Sequence, residues 1–207
     1  MVEKEKRKVR SDKLIYIKPT IPLELKECIS RIAYLTDQTV KDLGENICRE
    51  GLSSKLVIEI LSQNFKRDYW YHSTLLIGDL GRHSLQRVSL GSDSDRITLK
   101  VPYELNERIK ALAYSLDVTP SKATALLMYL TLKNTNFINE YIKKYKTSNL
   151  NYHFVKELKE ILAFINQNNS YNEVYAWSAF LSYLYGEMRG SKVFVSEEIY
   201  HWIKAYE

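Results

Sequence analysis

Arg96-Ile97-Thr98-Leu99-Lys100-Val101-Pro102 decides how the chain is read. The six residues before the proline alternate polar and apolar, which predicts a short β-strand with Arg96, Thr98 and Lys100 on one face and Ile97, Leu99 and Val101 on the other. Immediately behind it, Leu105, Ile109, Leu112, Ala113 and Leu116 recur at helical spacing, so Pro102 closes the strand and a helix runs to about Leu116. Asp117-Val118-Thr119-Pro120 then breaks the pattern. Thr119 suits an N-cap and Pro120 a first helical position, so a second helix starts there and turns Ala123, Leu126, Leu127 and Leu130 inward. The unit is strand, helix, turn, helix.

The same unit occurs once more, in step, eighty residues earlier. Pro22 falls on Pro102 (102 − 80 = 22), and without a gap Ile17 falls on Ile97, Glu24 on Glu104, Leu25 on Leu105, Glu27 on Glu107 and Ile29 on Ile109. Ala33-Tyr34 falls on Ala113-Tyr114, Asp37 on Asp117, Thr39 on Thr119 and Leu52 on Leu132. A run of this kind marks an internal repeat. Its two copies span 14–53 and 95–134.

These residues resemble the ribbon-helix-helix DNA-binding proteins of the MetJ/Arc type. The resemblance covers both copies and leaves out 1–13, 54–94 and 135–207. It implies a fold that is mainly α with a two-stranded antiparallel β-ribbon, the strands supplied by two units and the helices forming the core beneath. One chain carries both units here, so the resemblance implies an intramolecular pseudo-dimer, similar to the tandem single-chain members among accessory proteins of the conjugative relaxosome.

On that reading the polar ribbon face enters the major groove. Its candidate base readers are Tyr16, Lys18 and Thr20 from the first copy and Arg96, Thr98 and Lys100 from the second. Lysine and arginine donate to guanine O6 and N7, and threonine can hydrogen-bond or press its methyl against that of thymine. The trios differ, so the expected partner is double-stranded DNA with an asymmetric site. Without the repeat, either trio would read as a solvated strand face. A pseudo-twofold through the middle of the ribbon would set Lys18 opposite Thr98, Tyr16 near Lys100 and Thr20 near Arg96. Pro19 departs from the pattern, since it stands where the second copy has Leu99; proline cannot donate a ladder bond and should sit where its missing N–H points away from the partner.

The second helices begin at Thr39-Val40-Lys41 and at Thr119-Pro120-Ser121-Lys122. The resemblance places such ends against backbone phosphates, where free amides and the helix dipole favour an anion. Thr39, Lys41, Thr119, Ser121 and Lys122 are therefore the candidate phosphate contacts, which position the protein without reading sequence. Simple helix capping by the two threonines is compatible with this. Asp42 replaces Lys122 in the first copy, which predicts a weaker clamp on that side.

The totals bound the rest. The chain has 207 residues, 45% hydrophobic and 27% charged, enough for one sizeable core or two small ones. A net charge of +5 and a pI near 9.0 suit a polyanion partner but are also common in proteins that never meet one. No apolar run approaches the roughly 20 residues of a membrane span, and no apolar core follows the charged N-terminus, so a cytoplasmic protein without membrane contact is expected. Cys28 and Cys48 lie on or beside apolar helix positions and read as core thiols. Residues 1–13, rich in Lys and Arg, read as a flexible arm that either lies along phosphates or merely solubilises the terminus.

Residues 54–94 begin helically at Leu56, Val57, Ile60 and Leu61, pass through Asp68-Tyr69-Trp70-Tyr71-His72 and are then punctuated by Gly78, Gly81 and Gly91, the pattern of a partly ordered linker. The aromatic cluster reads as packing rather than base stacking, and Arg82, His83 and Arg87 are further candidate phosphate contacts. Beyond the second copy, helical patterns run from Phe137 to Lys146, through Phe154, Val155, Leu158, Ile161, Leu162 and Ile165, from Val174 to Gly186 and from Ser196 to Ile203. This all-helical module, 135–207, suits self-association or docking of a partner protein. His72, His83, His153 and His201 show no paired metal spacing, and no phosphate loop, nucleophile elbow or Cys-His pair occurs, so neither an enzyme nor a cofactor is expected. Two function classes remain: sequence-specific duplex binding, as a transfer-origin accessory factor or a repressor, and a protein-interaction module with only non-specific DNA affinity.

Overall fold

The computed structural model describes residues 13–134, 137 and 152–167. The arm before Lys13, most of the helix expected from Phe137 and the two helices expected after Ser170 lie outside them. Leucine and isoleucine at strand and helix periods build a predominantly helical fold with short two-stranded antiparallel sheets. Strands β1 (Leu14–Ile17) and β2 (Thr20–Pro22) lead into α1 (Leu23–Leu35) and α2 (Val40–Ser53). The segment that follows holds α3 (Lys55–Ser62), β3 (Tyr69–Tyr71), β4 (Thr74–Leu76) and a 3-10 turn at Leu85–Arg87. Strands β5 (Ser94–Arg96) and β6 (Leu99–Pro102) then precede α4 (Tyr103–Leu116) and α5 (Pro120–Lys133), and α6 spans Tyr152–Asn166.

The eighty-residue offset recurs in the backbone. Helix α1 starts at Leu23 and α4 at Tyr103; α2 and α5 start at Val40 and Pro120 and end at Ser53 and Lys133. Both turns hold an aspartate in the left-handed region, Asp37 at φ 51° and Asp117 at φ 55°, a conformation short polar side chains tolerate. Both second helices are capped by threonine, Thr39 accepting from the Asp42 N–H and Thr119 from the Lys122 N–H.

The strands pair in antiparallel fashion, β1 with β6 and β2 with β5. The register sets Tyr16 opposite Lys100 and Thr20 opposite Arg96, as expected. Both pairs sum to 116, so Lys18 falls opposite Thr98 (116 − 18 = 98). The alternation is kept through the ribbon: Ile17, Ile21, Ile97, Leu99 and Val101 are buried, whereas Tyr16, Lys18, Thr20 and Arg96 are exposed. Pro19 corrects its expectation. The Ile97 N–H donates to the Pro19 carbonyl at 3.1 Å, so proline sits on the paired edge and the reciprocal bond cannot form. That is where the ladder divides in two.

Below the ribbon, α2 and α5 cross. They approach closely because Gly51 stands where the repeat has Thr131 (51 + 80 = 131): a β-carbon on Gly51 would lie 2.2 Å from Thr131 Oγ1. Ala123, Leu126, Leu127 and Leu130 are buried as predicted, and so is most of the rest of α5. Cys28 and Cys48 are core thiols, and burial pushes both up to about 12.

The two copies are covered differently. Helix α6 lies on α1, where Arg31 pairs with Glu157, and buries Leu158, Ile161, Leu162 and Ile165, four of the six residues in its predicted pattern; the side chains of Phe154 and Val155 lie outside the described ones. The buried Lys133 ammonium donates to the carbonyls of Phe164, at 2.5 Å, and Gln167, closing the C-terminal end of α6; desolvation lowers its pKa. On the other copy, Phe65 is fully buried, the N–H groups of Lys66 and Arg67 donate to the Ser115 carbonyl, and Arg67 stacks on Tyr114. The stretch read as a partly ordered linker thus contains a helix, α3, that packs on α2 and α5, and a hairpin whose first strand, with the residues before it, clasps α4. Tyr69 packs there as expected, 5.2 Å from Phe65, but Trp70 is 67% exposed.

Candidate nucleic-acid interface

The ribbon brings all six expected base-reading residues onto one face. Because side chains alternate along a strand, the even-numbered residues from Tyr16 to Thr20 and from Arg96 to Lys100 point away from the core. Between Tyr16 and Thr20, and between Arg96 and Lys100, that face carries three cations, Lys18, Arg96 and Lys100, and no carboxylate. Asp95 belongs to the opposite parity and is held by Lys26 at 2.5 Å; this hydrogen bond keeps its carboxyl below the usual carboxylate range. The ribbon face is therefore left positive.

Its two ends differ chemically. At one, the Lys100 ammonium lies 5.3 Å from the centre of the Tyr16 ring, an exposed cation–π contact worth about 0.5–1 kcal/mol. At the other, Thr20 faces Arg96. Under the eighty-residue offset these two pairs exchange positions: 16 + 80 = 96 and 100 − 80 = 20. The backbone is equivalent at the two ends while the side chains are not.

The two second-helix ends diverge further. At α2, Thr39, Lys41 and Asp42 are exposed, and Asp42 is bound to Thr39 Oγ1 at 2.7 Å, which puts a carboxylate into the first turn. At α5, the segment from Ser84 to Gly91 lies across the end. Gln86 Oε1 accepts from the Thr119 N–H at 2.8 Å, and Lys122 Nζ donates to the Val88 carbonyl. Burial under this segment lowers the Lys122 pKa. The α5 end, expected to be the stronger clamp, is the covered one, and its Ser121 lines a cleft of about 380 Å³ beneath the segment. Its first free amide and its lysine already hold oxygens of the chain itself.

The other proposed cations sort by what they touch. Arg82 donates to the carbonyls of Ser62 and Phe65 and holds the linker together, so it is not free for phosphate. His83 and Arg87 are exposed, and Arg87 borders the same cleft. Sequence reasoning missed Gln86 and Val88, whose oxygens cover α5. Gln86 lies 33 residues before Thr119, and nothing local tells it from any other loop glutamine.

Among the described residues, no three His, Cys, Asp or Glu side chains are grouped to hold a metal ion, and no helix is long and apolar enough to cross a membrane. No protein-family model, curated protein or solved structure matches this chain.

Proposed function

We propose that the protein binds double-stranded DNA sequence-specifically, with two ribbon-helix-helix units of one chain acting as an intramolecular pseudo-dimer whose ribbon enters the major groove. The observation that carries this reading is the ribbon itself: its register exchanges the Tyr16–Lys100 and Thr20–Arg96 pairs under the repeat, and its outer face holds three cations and no acid. Two strands about 4.8 Å apart fit a groove about 12 Å wide. Lys18, Arg96 and Lys100 are base-edge donors, and Thr20 and Thr98 complete the face.

The two halves of the face are chemically unequal, so the target is asymmetric. Its role is that of an accessory factor at an origin of transfer or of a repressor, in the cytoplasm. The tandem single-chain arrangement favours the accessory role, and that preference rests on resemblance. The activity is binding, without catalysis or cofactor.

The test is selection of bound duplexes from a random pool by the full chain. One enriched asymmetric motif is expected. Recovery of no motif, with weak binding that falls away in salt, would leave the alternative, a protein-interaction module with non-specific DNA affinity.

A further inference from the structure

The segment Ser84–Gly91 crosses the molecule between the Thr20 end of the ribbon and the start of α5, the ground that a phosphate backbone beside the ribbon would occupy. Its contacts there are made by oxygens. Gln86 Oε1 sits on the Thr119 amide, and the Val88 carbonyl sits on the Lys122 ammonium. A phosphate entering this corner would need the same two donors, one at a helix N-terminus and one a cation. Among the described residues the corresponding ground at α2 differs at one position: the repeat partner of the half-buried Lys122 is Asp42, which is exposed and accepts from the Thr39 hydroxyl.

The strap is held lightly. Gln86, Arg87, Val88 and Ser89 are exposed, and water could replace either hydrogen bond. Leu85 and Leu90 are the partly buried apolar residues that tether its two ends. Such a segment can leave the corner without opening the core.

We propose that Ser84–Gly91 is an autoinhibitory strap: in the free protein it fills the phosphate position at α5 with the chain's own oxygens, and duplex DNA must displace it to engage that half of the site. This rests on the DNA-binding reading above. It makes the protein a reader with one open flank, at α2, and one gated flank, at α5. The Val88 carbonyl and Gln86 amide are neutral oxygens, so a phosphate has the stronger claim on Lys122 once it arrives.

The test uses the full chain and Gln86→Ala, with two readouts. The first needs no DNA: the rate of tryptic cleavage after Arg87 and hydrogen exchange at the Thr119 amide, both expected to rise in the variant. The second is affinity for a duplex at two salt concentrations. One lost hydrogen bond of about 1 kcal/mol predicts about fivefold tighter binding by Gln86→Ala. Unchanged cleavage and exchange in Gln86→Ala would overturn the proposal, since Gln86 would then not hold the strap. So would a released strap with weaker duplex binding, since the strap would then be a DNA contact. A released strap with duplex binding unchanged would overturn the gate alone, whereas no duplex binding by any of the chains would overturn the DNA reading as well.

Discussion

The two copies of the repeat share a backbone plan and differ in their surroundings. Elements start at the same offset, turns use the same left-handed aspartate and caps use the same threonine. Yet α1 is roofed by α6, whereas α4 is clasped by the segment from Phe65 to Tyr71; among the described residues the α2 end is exposed, whereas the α5 end is strapped. Local sequence fixes where a helix begins. What it meets is decided by segments outside the repeat, and that is how a duplicated unit acquires two different halves.

The largest effects should come from the shared core. Ile47 and Leu127 are repeat partners (47 + 80 = 127) and both are fully buried. Ile47→Ala and Leu127→Ala should each cost about 2–5 kcal/mol in urea unfolding, in one transition. Two separate transitions would show that the copies fold independently.

Next is the crossing of α2 and α5. Gly51→Thr makes the copies identical there, but its β-carbon meets Thr131, so the variant should lose about 1–3 kcal/mol by overpacking. A neutral result would mean that the helices can separate without cost.

The caps should be nearly equal. Thr39→Ala and Thr119→Ala each remove the acceptor for one N-terminal amide and should cost about 1 kcal/mol by the same unfolding measurement. A much larger loss at Thr119 would show that the strap depends on it.

Acid should weaken the turn between α4 and α5. Asp117 hydrogen-bonds Arg67 at 2.8 Å and lies 3.5 Å from Lys66, and the Arg67 contact holds its carboxyl below the usual range; Asp37 has no such pair among the described residues. The folded-state pKa lies below the unfolded value of about 3.9, so this stabilisation is present above pH ~4 and is lost as pH falls through the folded value. Asp117→Asn should flatten the acid limb of stability measured from pH 5 to pH 2, and an unchanged limb would show that the Arg67 contact adds nothing to stability.

Strand and helix placement was legible because alternation and helical spacing are strong over 96–116 and the offset transferred them to 16–36. Gap-free matching also made the register legible, since a twofold through Lys18 and Thr98 permits one pairing. The hairpin was not. Tyr69–Tyr71 and Thr74–Leu76 are short, and the His72-Ser73 connection lacks the Asn-Gly usual in such turns, although His72 does adopt φ 51°. Pro19 was misjudged because composition gives no edge: only the pairing shows which side of a strand is bonded. The covering of α5 was illegible because Gln86 lies 33 residues from Thr119, and a single side chain to backbone bond leaves no periodic trace.

The central claim is that two unequal halves of one ribbon read DNA. It is tested most directly by converting the first trio into the second, Tyr16→Arg, Lys18→Thr and Thr20→Lys together, and repeating the duplex selection. These exposed substitutions leave the core untouched, so the fold should survive. The account predicts that the enriched site changes from an asymmetric motif to an inverted repeat of the half read by Arg96, Thr98 and Lys100. Selection of the original motif, unchanged, would contradict it.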